Sequence, residues 1–87
     1  MENKKENMRK LIERLERIAK VNNDKFSYNI NVELNSKSGL RYTFTATEIT
    51  DNHDFIVVQS NNLITLVDMA NEEIEEVCEA WGYKCVN

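Results

Sequence analysis

The chain has 87 residues, of which 41% are hydrophobic, 30% charged and 8% aromatic, and its 11 Lys/Arg against 15 Asp/Glu give a net charge of −4. That is the size and composition of one globular domain, 1–87, and it excludes two; nearly every large apolar residue must share one core, which argues against a deep catalytic pocket. An acidic pI of about 5.0 also argues against nonspecific binding to nucleic acid or to an anionic membrane, since both require a basic surface.

Charge is segregated along the chain. Residues 1–20 hold seven Lys/Arg and four Glu, a local +3, and residues 21–87 hold four Lys/Arg and eleven acids, a local −7. Twelve Asn and no Pro fit AT-rich codons, hence a low-GC bacterium or its phage. The first residues lack the apolar stretch of a signal or transit peptide. The apolar run Phe55-Ile56-Val57-Val58 is far short of the ~20 residues that cross a bilayer. The expectation is a cytoplasmic chain with Cys78 and Cys85 reduced and unbridged.

Met8, Leu11, Ile12, Leu15, Ile18 and Ala19 recur at three-and-four spacing, which predicts an amphipathic helix over 4–20. Glu6 with Lys10, Glu13 with Arg17 and Glu16 with Lys20 are favourable pairs four apart. Asn22-Asn23-Asp24 ends the helix. From Phe26 the period becomes two: Phe26, Tyr28, Ile30, Val32 and Leu34 are apolar, then Leu40, Tyr42, Phe44 and Ala46 after the turn 35–39. This predicts a hairpin pairing Leu34 with Leu40, Val32 with Tyr42 and Ile30 with Phe44, one face apolar and covered by helices. At Glu48-Ile49 the alternation slips, which predicts a bulge or a strand end. Residues 55–59, apolar on both parities, predict a strand covered on both faces or central in the sheet.

Two continuations are open after Asn61-Asn62. The β-branched Ile64, Thr65 and Val67 favour a short fourth strand over 63–67, while Leu63, Val67, Ala70, Ile74, Val77 and Trp81 hold the spacing of one long helix. In either case 69–81 is helical, with Asp68 a candidate cap, acids in the first turn, Gly82 the C-terminal stop and Tyr83 folding back on Cys78. The fold class is therefore α+β, αβββα or αββββα: an antiparallel meander of three or four strands with both helices on one face.

The double-stranded RNA-binding domain is similar in length and element order. That family carries a lysine cluster at the start of its second helix, where this chain has Asn71-Glu72-Glu73-Ile74-Glu75-Glu76; likeness in element order carries no phosphate binding with it.

Six acids and no base fall within 68–79. Helical geometry gathers Glu72, Glu75, Glu76 and Glu79 on one face, with Glu73 beside them, so these five are the candidate partner-binding residues; a basic protein surface is the matching partner. His53, flanked by Asp51 and Asp54, has the composition of a general base but no Ser or Cys nucleophile context. Two glycines cannot build a phosphate loop, and Cys78 with Cys85 lacks the second ligand pair of a zinc site. No catalytic residue, cofactor or metal is expected. The expected function is a small acidic non-enzymatic protein-binding module, a phage or mobile-element inhibitor of the anti-CRISPR or nucleic-acid-mimic kind, monomeric or weakly dimeric. The alternative is nucleic-acid binding through Arg9, Lys10, Arg14 and Arg17 on the first helix.

Overall fold

Helix α1 (Lys4–Val21) forms where the apolar spacing demands it, and Leu11, Leu15 and Ile18 are each buried in the core. Asn22 ends it: its side-chain amide donates to the Ile18 carbonyl at 2.8 Å, and Asn23 takes a left-handed φ of 54°. The computed structural model of the chain describes residues 4–37 and 39–86. The expected Glu6–Lys10 pair falls outside the described side chains, which begin at Asn7. Glu13 meets Arg9 at 3.9 Å on the exposed side of the helix, a pair worth little in water.

Three antiparallel strands follow, β1 (Phe26–Asn35), β2 (Gly39–Glu48) and β3 (His53–Ser60), in the sheet order β1-β2-β3. The hairpin register is the predicted one, with Leu34 opposite Leu40, Val32 opposite Tyr42 and Ile30 opposite Phe44. Gly39 enters β2 at a φ of 75°, a conformation that favours glycine.

Strand β2 ends at Glu48, as one of the two expected readings has it; its core-facing parity continues unbroken through Phe44 and Ala46 into Glu48, which is itself buried. The bulge lies instead on β3, where Ala46 pairs with Ile56 and Thr47 with Asp54, leaving Phe55 as the extra residue. Nor is β3 central. It is an edge strand, and its second apolar parity is explained by the bulge, which brings Phe55 toward the helix layer beside Ile56, while Val57 is left exposed on the open face.

Residues 63–67 are not a strand. Helix α2 runs from Leu63 to Trp81, and its N-cap is Asn62, whose side-chain oxygen accepts from the Ile64 and Thr65 N–H groups at 2.9 and 3.2 Å. The β-branched preference of Ile64, Thr65 and Val67 is overridden because the helical period places Leu66, Val67, Ala70, Ile74 and Cys78 in the core. Asp68 lies within the helix rather than at its cap, and the first turn holds no acid. The C-terminus is as expected: Gly82 adopts the left-handed conformation, and its N–H and that of Tyr83 bond the Glu79 and Cys78 carbonyls.

Both helices lie on one face of the sheet, α2 across β2 and β3, α1 against α2 and β1. Phe44, Ala46, Ile56, Leu66 and Ala70 are wholly buried between the layers. The helices do not cover the whole apolar face, contrary to expectation. Ten-residue strands run about 33 Å, and beyond Phe44 and Tyr28 the hairpin overhangs its cover. Leu34 is 84% exposed, Val32 54% and Ile30 42%.

Residues 83–86 are tied back onto the turn after α1. Asn22 and Lys84 exchange two hydrogen bonds of 2.9 Å, and the Tyr83 hydroxyl donates to Asp24.

Asn62→Ala is expected to lower stability by about 1 kcal/mol in urea unfolding. Asp68→Ala, at the cap position that local composition suggests, should leave it within about 0.5 kcal/mol.

Candidate functional site

The inward stripe of α2 fixes the direction of its acids. With Ala70, Ile74 and Cys78 against the core, Glu72, Glu75, Glu76 and Glu79 are exposed and Glu73 is half-buried. The five are thus on one helix as predicted, but they are not equivalent. Glu75 lies 3.9 Å from the guanidinium of Arg14. Among the described residues, Glu72, Glu73, Glu76 and Glu79 have no ion-pair partner.

Arg14 is the one member of the α1 basic set that the structure turns inward. Its side chain is only 11% exposed. Its Nε donates to the Val86 carbonyl at 2.9 Å, Nη1 to Asn71 Oδ1 at 2.8 Å and Nη2 to Cys85 Sγ at 3.4 Å. It therefore joins α1, α2 and the C-terminal segment, with its donors directed to protein acceptors rather than outward. The basic stripe of Arg9, Lys10, Arg14 and Arg17 is interrupted at its middle. Lys10, Arg14 and Arg17 share an interhelical groove of about 560 Å³ with Glu13 and Asp68, so the surface there is of mixed sign.

A second concavity lies just beyond the C-terminal end of α2, and neither spacing nor composition pointed to it. Glu48, Asp51, His53, Trp81 and Tyr83 line an open groove of about 570 Å³. Its rings His53, Trp81 and Tyr83 continue a chain that runs back into the fold: Phe26–Phe55 at 4.6 Å, Phe55–Trp81 at 5.3 Å, Trp81–Tyr83 at 5.3 Å and His53–Trp81 at 5.9 Å between centroids. The bulge builds this run of rings. Because Phe55 is an extra residue, His53 falls opposite Glu48 and takes the helix-side parity that Asp54 would otherwise hold. Asp54 points to the open face and accepts from the Thr47 hydroxyl at 2.7 Å, so it does not orient His53.

Carboxylates converge at the same place. Glu48 accepts the Asp51 N–H at 2.7 Å. The Tyr83 phenol is pushed up to about 12, first by donating to Asp24, then by burial and by the negative charges of Asp24, Glu48 and Asp51. Burial raises Asp24, but hydrogen bonds from Tyr83 and the Lys25 N–H, with its contact to Glu48, outweigh that and hold it below its ordinary value. Cys78 and Cys85 are free; burial first, then contact with Cys85, pushes the Cys78 thiol up to about 11, so it is a packed neutral thiol.

No protein-family model, curated protein or solved structure matches this chain. Among the described residues, no group of three or more His, Cys, Asp or Glu side chains is placed to hold a metal ion, and no helix is long and apolar enough to cross a membrane.

Tyr83→Phe tests the phenol–carboxylate bond through pH. A lowered Asp24 contributes stability above the usual carboxylate range that is lost as pH falls through its folded value; a raised Tyr83 contributes stability below 10 that is lost as pH rises toward 12. The variant should therefore be less stable than the parent by about 0.5–1 kcal/mol across pH 5–9, and the gap should close on both sides of that window in denaturant titrations.

Arg14→Ala removes charged hydrogen bonds in a nearly closed site, and a loss of about 2–3 kcal/mol is expected. Limited proteolysis should then cut the chain near 83–86 faster than in the parent.

Proposed function

We propose that the chain is a small non-enzymatic protein-binding module whose acidic α2 face, centred on Glu72, Glu76 and Glu79, engages a basic surface of another protein. Uncompensated charge carries the proposal: three exposed carboxylates follow one another along a helix, and none has an ion-pair partner among the described residues. Like charges three and four apart cost a helix about 0.2–0.5 kcal/mol per pair, and a cationic partner reverses the sign of that term.

The groove after Glu79 extends the same surface. A Lys or Arg side chain entering it would meet the faces of Trp81 and Tyr83 and the carboxylates of Glu48 and Asp51, a combination suited to cation–π and charge-assisted contact. Association with such a partner is electrostatically steered, fast and salt-sensitive. The finer assignment we favour is an accessory or inhibitor protein of the phage or mobile-element kind, acting as anti-CRISPR proteins and nucleic-acid mimics do, by occupying phosphate-binding Arg and Lys of its target. Small size, acidic balance and Asn-rich composition support it. Arg14, committed within the monomer, weighs against nucleic-acid binding through α1.

A fluorescent hexa-arginine peptide measures the surface directly. In ~0.1 M salt, where screening removes contributions from charges more than about 10 Å away, Glu72→Lys/Glu76→Lys should weaken peptide binding by at least about 10-fold. Glu13→Lys/Asp54→Lys, the same change in net charge placed elsewhere, should weaken it by less than about 3-fold. Equal losses in the two variants would reduce the effect to overall charge and overturn the proposal.

A further inference from the structure

We infer that two copies of the chain associate through β1, edge to edge and antiparallel, in the register that places Ile30 opposite Ile30 of the second copy. Edge and overhang both lie on that strand. Among the described residues β1 is hydrogen-bonded to β2 alone in the sheet, so along residues 26–34 the strand has an edge side that no other strand covers. Eight of its ten residues are exposed, and three of them, Ile30, Val32 and Leu34, are apolar side chains on the face the helices leave bare.

The occupant is specified by the strand's own pattern. The helix-side residues Phe26, Tyr28, Ile30, Val32 and Leu34 are symmetric about Ile30. A two-fold axis there sets Leu34 of one copy opposite Phe26 of the other, and Val32 opposite Tyr28, so each apolar residue meets an apolar one. Beside the start of β1, the apolar Ala19, Phe26, Tyr28 and Ile49, together with the charged Glu16, Lys20, Asp24 and Lys25, line an open groove of about 440 Å³ between α1 and the sheet. The bare arm of each copy therefore arrives at the groove of the other.

Charge does not oppose the same register: on the open face Glu33 falls opposite the neutral Ser27 of the second copy and Asn29 opposite Asn31, so no like-charged pair is opposed within the nine-residue overlap. That overlap runs about 30 Å. A small stable dimer buries about 600–800 Å² per copy, roughly a tenth of this chain's 6017 Å², and β1 with the flank of α1 supplies a strip of that order.

Sedimentation equilibrium should report twice the 10.2 kDa chain mass as concentration rises. Val32→Lys, at an exposed position, should weaken association by about 100-fold, two hot-spot residues being removed per dimer. In a Cys85→Ser background, Ile30→Cys should oxidise to an intermolecular disulfide, because it meets its own copy across the axis, while Val57→Cys on the open face of β3 should not. A chain that stays monomeric at its solubility limit overturns the inference. So does a dimer in which Ile30→Cys cross-links no faster than Val57→Cys, since that dimer would use another surface.

Discussion

Helix α2 packed across β2 and β3 is the contact on which the rest of the molecule depends. Leu66, Ala70 and Ile74 descend onto Phe44, Ala46 and Ile56, and all six are at most 1% exposed. Ala46 and Ala70 are small residues at the layer boundary; they let helix and sheet approach closely, and Phe44 fills the space beside them. Fixing α2 there directs its opposite side to solvent, which is what displays Glu72, Glu76 and Glu79. It also sets where the helix ends, and with it the positions of Trp81 and Tyr83.

The cost of that packing is incomplete cover. Two helices of 18 and 19 residues span about 27–29 Å each. Helix α2 lies across β2 and β3, and α1, packed beside it, touches only part of β1. The far half of the hairpin is consequently a single layer of sheet with one greasy face, in a molecule only 18 Å thick. A monomeric domain seldom leaves Ile, Val and Leu exposed in a row on one strand.

Much of this was legible in the residues themselves. The hairpin register follows from matching two alternating patterns across a short loop, a local problem with one good answer. The outward direction of Glu72, Glu75, Glu76 and Glu79 follows from the helical period. What could not be read locally was decided at a distance. The choice between strand and helix at 63–67 turned on where Leu66 and Val67 find partners, against the preferences of Ile64 and Thr65. Burial of Glu48 depends on the Asp51 N–H that meets it across the turn. Arg14 looked like one of four basic residues on a helix face; its commitment to Val86, Asn71 and Cys85 involves residues more than fifty positions away. The aromatic groove was invisible for the same reason, since it gathers residues from the β2–β3 turn and from the end of α2.

The extra residue in β3 has a consequence for how this surface can change over time. His53 and Phe55 face Trp81 because the count of residues between the turn and Ile56 is odd by one relative to a regular ladder. Point substitutions can alter what sits in the groove but not which positions look into it. Loss or gain of a single codon in that segment would exchange the two sides of the strand at once, sending His53 to the open face and Asp54 under the indole. The groove is therefore tuned gradually by replacement and recast abruptly by insertion or deletion, and the two routes act on different chemistry at the same place.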